Sequence, residues 1–245
     1  MISLFNTILF QPLFNGLVFL YNVIPGHDLG IAIIVLTILV KLALFPLSYQ
    51  SIKSQRALQE LQPKLDALKK QYGKDREALA KETMKLYKEE KVNPLSSCLP
   101  LLLQLPFLIA VYQVFITGLH DESLRWLYPF VQNPGSLQPV AFGFLNLSKA
   151  NIFLAVVTGA AQYWQTKMLA TARPPKAMPG AKDEDMAAIM NRQMQIMMPA
   201  MTILIGISLP SGLVLYWLAT TLLTVGQQYL MFKPKQPAAS TPAVQ

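Results

Sequence analysis

Acidic residues are absent from the interior of every long apolar run of this chain, and charge of either sign is scarce, at 14% of residues against 53% hydrophobic. A soluble domain carries nearer a quarter charged residues, so the composition excludes an ordinary water-soluble protein and predicts an integral membrane protein. Cysteine is almost missing. Cys98 alone excludes an internal disulfide and any multi-cysteine metal site. The two histidines, His27 and His120, fall in segments predicted to be external, and no HExxH, GxSxG or phosphate-loop pattern occurs. Asp183, Glu184 and Asp185 read as a solvated loop, not a metal cage. No enzyme activity, cofactor or metal is expected.

What the chain does contain is five apolar segments, 28–50, 97–118, 150–170, 193–209 and 211–232, each near the ~20 residues that a spanning helix needs. Of 21 Lys and Arg residues, eleven lie between 51 and 97 and four between 171 and 192, while Lys233 and Lys235 end the chain. The positive-inside rule puts these segments in the cytoplasm. The N-terminus and the 119–149 loop are then outside, and the 233–245 tail, rich in Pro, Ala and Ser, is predicted to be disordered in the cytoplasm. The net charge of +8 is therefore an orientation signal, and no specific nucleic acid is expected as a partner.

Residues 1–27 are apolar but carry Ser3, Thr7, Gln11 and Asn15 at four-residue spacing. That pattern suits a helix lying in the outer interface. Charge does not arbitrate, because one more span ahead of residue 28 leaves every later loop on the same side. Residues 51–96 are polar, with Leu58, Leu61, Leu65, Leu68 and Tyr72 at alternating spacings of three and four, Gly73 as a helix stop, and a weaker stripe through Leu79, Thr83 and Leu86. This predicts a cytoplasmic antiparallel helical hairpin. The fold class is thus all-α: five transmembrane helices, an outer interfacial amphipathic helix and the hairpin.

Apart from Asp28 and Lys167 near span ends, one cation breaks the rule that the spans are uncharged. Lys41 sits near the middle of GIAIIVLTILVKLALFPLSYQ, residues 30–50. A charge at bilayer depth costs ~2.5–3.5 kcal/mol on insertion scales, so it faces a wet cavity or a partner more often than lipid. The competing structural reading, that the amine snorkels to the nearer interface, leaves about 14 Å of helix to travel at ~1.5 Å per residue. At 100° per residue Thr37, Lys41 and Ser48 share a narrow face. The third span gathers Thr158, Gln162, Gln165 and Thr166 on one side, and the fifth gathers Tyr216, Thr220, Thr224 and Gln227. Interhelical glue explains any one such stripe. It explains Lys41 poorly, because no span offers an acid to neutralise it, and a hydrated groove is the expected setting.

The second and fourth spans carry no consistent polar stripe. Gln104 and Gln113 face opposite ways, and Met186, Met190, Met194, Met197 or Met198, and Met201 run along one side, where thioethers either fill gaps or adapt to varied apolar partners. The stripe has no nearby His or Cys to complete a copper site.

Several stretches together resemble the YidC/Oxa/Alb family of membrane protein insertases, from about residue 10 to 232: FQPLF (10–14), TILVKLALFPLS (37–48), LQPKL (61–65), LYKEEKVNPLSSCLPLLLQLP (86–106) and PSGLVLYW (210–217), followed by Gln227 and Gln228. The resemblance implies five core helices around a polar groove open to the cytoplasm and to lipid, closed toward the outside. In it Lys41 takes the position of the groove cation, with Thr37, Ser48, Thr158, Gln162, Gln165, Tyr216, Trp217, Thr220, Thr224 and Gln227 as groove residues. Leu105, Phe107, Met197, Met198 and Met201 form an implied hydrophobic slide. Leu61, Lys64, Leu65, Leu68, Tyr72, Gly73 and Leu86 belong to the implied receiving hairpin. The implied partners are nascent membrane proteins and the lipid bilayer, with the ribosome, the signal recognition pathway and the Sec translocon as further candidates, in a bacterial inner membrane.

Two departures matter. The family cation is usually Arg, whereas Lys41 is a point charge that loses its proton when desolvated, so the role requires a wet groove. The tail holds only two lysines, against the basic ribosome anchor of some relatives. The competing reading is a small-solute transporter or anion channel using Lys41 as its binding charge; the inverted repeats that favour such a fold are not evident in the sequence. A third reading is an assembly factor that holds partner helices through the Met stripe.

Overall fold

The computed structural model of the protein describes residues 2–72, 75–93, 99–116, 126–169 and 195–231. Gly73, Cys98, the 171–192 loop, the 233–245 tail and Met186, Met190 and Met194 lie outside the described residues. Helix α1 (Ile2–Phe5) runs through a π-helical turn, Asn6–Phe10, into α2 (Gln11–Val23). There follow α3 (Leu29–Ala43), α4 (Phe45–Tyr72), α5 (Arg76–Glu89) and α6 (Leu99–Ile116), a short antiparallel pair of strands, β1 (Val140–Ala141) and β2 (Leu145–Asn146), then α7 (Ile152–Leu169), α8 (Gln195–Gly206) and α9 (Ser211–Met231). Among the described residues the regular structure is helical apart from that pair.

Local chemistry fixes several helix starts. Asp28 caps α3 by accepting from the Ile31 amide at 2.9 Å, and Asp75 caps α5 by accepting from Glu77 and Ala78. Asn151 accepts from the Leu154 amide at 3.0 Å just before α7. The hairpin arms, α4 and α5, pack together, bury Leu61 and Leu65, and leave Leu68, Tyr72 and Leu86 half-buried. Lys64 pairs with Glu90 across the two arms.

Among the described residues no single helix is long and apolar enough to cross a membrane. The predicted first span, 28–50, is not one straight helix: α3 and α4 pass that test only together, with a bend of 71° between them. The break falls at Leu44, two residues before Pro46, whose ring disfavours helical geometry in the residue ahead of it and fits best in a helix's first turn. In α7 and α9, Gln162, Gln165, Gln227 and Gln228 dilute an otherwise apolar sequence.

The amino-terminal helix packs one face on the rest of the bundle. Its residues Phe10, Phe14, Leu17, Val18 and Tyr21 belong to the main core, with Leu29, Ile33, Val114, Phe115, Leu213 and Val214 from α3, α6 and α9. Three of its polar residues bind backbone: Gln11 and Asn15 donate to the Trp126 carbonyl, Asn15 accepts from the Tyr128 amide at 2.6 Å, and Asn22 donates to the Gln132 carbonyl. The 126–149 segment is thereby strapped over this end of the bundle, and its Val131, Leu137, Ala141, Leu145 and Leu147 fill the same core.

Close helix approach rests on small residues, as it does where lipid supplies no hydrophobic drive between helices. A Cβ added at Gly159 of α7 would collide with the Ile203 side chain of α8. Gly159→Leu is therefore expected to push α8 off α7 and cost about 1–3 kcal/mol. A fall in the thermal midpoint of the detergent-purified protein, absent in Ala160→Leu at the exposed neighbouring position, checks this.

Candidate functional site

Beside the bend between α3 and α4 lies a cavity of about 40 Å³, lined by Thr37, Val40 and Lys41 of α3, Leu44 at the break, Ser48 of α4, Gln104 and Phe107 of α6, and Tyr216 and Thr220 of α9. At roughly 10–15 Å³ for each water, it has room for about three. Six of its nine lining residues, Thr37, Lys41, Ser48, Gln104, Tyr216 and Thr220, are polar or charged, and they converge here because their helices turn these faces inward.

Lys41 is half-buried, and its Nζ donates to the Thr224 hydroxyl at 2.9 Å. Thr224 in turn donates to the Thr220 carbonyl at 2.7 Å, which leaves its oxygen lone pairs aimed at the ammonium. Among the described residues no carboxylate lies within ion-pair distance of Lys41; the ion pairs all belong to the α4–α5 hairpin, Arg56 with Glu60, Lys64 with Glu90 and Lys85 with Glu82. The amine therefore has one neutral partner and hydrogens left over. Opposite it, Gln104 donates to the Tyr216 hydroxyl at 2.7 Å and fixes the ring against the cavity. The Thr37 hydroxyl is bonded to the Ile33 carbonyl at 2.6 Å, so it offers the cavity only its acceptor side.

Of the residues picked out by sequence, Thr37, Lys41, Ser48, Tyr216 and Thr220 meet at this cavity, and Thr224 reaches it through the lysine. Thr158, Gln162, Gln165, Trp217 and Gln227 are not among its lining. Thr158 is fully buried with its hydroxyl on the Leu154 carbonyl at 2.7 Å, and the Gln227 carbonyl oxygen is buried without a partner. Phe107, expected on the slide, lines the cavity; Leu105, Met197, Met198 and Met201 are exposed. Gln104 is the site residue that periodicity missed. Its signal was a lone amide among leucines, which forms no stripe but is costly to bury unpaired.

Comparison with known proteins bears on this arrangement. Residues 19–238 match the family described as 60Kd inner membrane protein. The chain is 36% identical to the membrane protein insertase YidC of Fusobacterium nucleatum, over 89% of this chain and 93% of that protein. It is 34% identical to that of Syntrophus aciditrophicus and 36% identical to that of Oleidesulfovibrio alaskensis, over 91% and 93% of this chain. It spans only 36% and 39% of those two longer relatives. The fold is similar to the crystal structure of an active YidC insertase with its first transmembrane domain resolved, with a TM-score of 0.56 and 27% identity, over 92% of this chain and 47% of that one. The chain belongs to the 60Kd inner membrane protein family, the family of the YidC insertases.

Proposed function

We propose that the chain is a membrane protein insertase, working without a chemical reaction in a bacterial inner membrane. The observation that carries this reading is the bare ammonium: Lys41 is held by a neutral hydroxyl in a polar cavity, with no acid near it among the described residues. A cation so placed would attract acidic or polar stretches of an incoming chain, and at low effective dielectric that attraction is worth more than in water. The cavity is polar where α3 and α9 face it, and family membership supports reading it as the groove that receives nascent membrane proteins from the cytoplasm. The α4–α5 hairpin, on the basic side of the chain, would receive the client first. Exposed Leu105, Met197, Met198 and Met201 would guide its apolar segment into lipid. The N-terminus outside and the C-terminus in the cytoplasm complete the orientation, with the ribosome, the signal recognition pathway and the Sec channel as candidate partners.

A photo-activated crosslinker at Tyr216 is expected to capture a nascent single-span protein, whereas the same group at Leu39, which is exposed on the side of α3 opposite Lys41, is not. Equal yields from the two positions would count against the groove. A transporter built on the same lysine predicts solute flux in proteoliposomes, and none is expected.

A further inference from the structure

We propose that the tip of the β1–β2 hairpin, with its neighbours at the start of α7, is a lipid-seated wedge that embeds in the outer leaflet at the boundary between headgroups and acyl chains. The inference rests on the membrane location proposed above but not on insertase activity. From Trp126 to Ser148 the chain has no charged residue, and it carries Trp126, Tyr128, Phe130, Phe142 and Phe144. A polar external loop has no reason for that composition, whereas aromatic residues collect where a membrane meets water.

The segment has two apolar faces, and only one is used by the protein. Val131, Leu137, Ala141, Leu145 and Leu147 turn into the helical core. Phe144 is 82% exposed, and Phe130 and Phe153 are nearly as bare. With nothing in the described chain covering the second face, and no charge on the segment to complement a protein partner, the occupant that fits is lipid.

The backbone at the tip points the same way. Phe142 and Gly143 have φ of 56° and 78°, and the Phe144 amide donates to the Ala141 carbonyl, as in a tight turn with both central residues left-handed. Asn or Gly suits the first of these positions, and a bulky aromatic there is strained. The strain is held by Asp28, whose second carboxylate oxygen accepts from the Phe142 amide while the first caps α3. One carboxylate thus pins the ring-bearing turn to the end of the helix that carries Lys41, giving a stiff wedge and not a floppy loop. Phe142 stands 6.3 Å from Phe144, ring to ring, so the two enter as a unit.

The test places an environment-sensitive label on Phe144→Cys in a Cys98→Ser background, reconstituted in vesicles of phosphatidylethanolamine and phosphatidylglycerol. The control is Ser136→Cys, an exposed position in the polar bend of the same segment. A lipid-borne nitroxide near the headgroups is expected to quench the label at 144 about threefold more than at 136, with aqueous iodide showing the reverse order. Iodide quenching at 144 equal to that at 136 would overturn the proposal. So would protection from both quenchers, which would mean a protein partner or a second copy. Phe144 makes no core contact, so its replacement spares the fold. A normal client-crosslinking yield from Tyr216 in the same variant separates this outcome from failure of the insertase reading.

Discussion

Replacing Lys41 with glutamate is expected to cut insertion of clients whose external segment carries acidic residues by about tenfold or more, as read by protease protection in proteoliposomes. The size follows from electrostatics. Two unit charges 4 Å apart interact by about 4 kcal/mol at an effective dielectric near 20, and by about 1 kcal/mol in water. A cavity that holds a few waters lies between these limits, and a change of about 1.4 kcal/mol is already tenfold. Reversing the sign also turns attraction into repulsion, so the loss exceeds that of Lys41→Ala. Clients with neutral external segments should lose much less, and Lys41→Arg should retain activity, because its charge does not depend on the cavity staying wet. A uniform loss across all clients would indicate that Lys41 supports the fold and not the passage of charge.

Phe14→Ala is expected to be the most damaging single truncation outside the cavity, at about 3–5 kcal/mol of stability. Phe14 is completely buried and stacks on Phe10 with ring centroids 5.7 Å apart. A helix merely resting in the outer interface would leave this ring in lipid and lose little. The structure seats it in the core, so the thermal midpoint in detergent should drop sharply, while Phe19→Ala, on the exposed side of the same helix, should shift it only slightly. Asn15→Ala should fall between the two, at about 1–3 kcal/mol, since it leaves the Tyr128 amide without its acceptor.

These residues also mark what the sequence could and could not convey. The polar faces of α3 and α9 were legible, because a helix projects its side chains at a fixed angle. Thr37, Lys41, Ser48, Tyr216 and Thr220 accordingly meet in one cavity. Thr158 lay on an equally good stripe, yet its hydroxyl turns back on its own helix. Threonine satisfies itself in this way, so a polar stripe alone does not separate a groove from a packed contact. Gln104 was hidden for the opposite reason, since its partner, the Tyr216 hydroxyl, lies 112 residues away. The polar spacing of Gln11 and Asn15 suits a helix in the outer interface. In the structure both side chains bind backbone groups of Trp126 and Tyr128, which need partners once they are covered. The bend at Leu44 had its signal in Pro46, which hydropathy averages erase.

The central claim is that Lys41 stands in a cavity that water enters from the cytoplasm. With Lys41 intact and Cys98 replaced by serine, Ser48→Cys and Thr220→Cys in sealed vesicles should react with a membrane-impermeant maleimide added on the cytoplasmic side. Reaction only from the outside, or from neither side, would contradict the account.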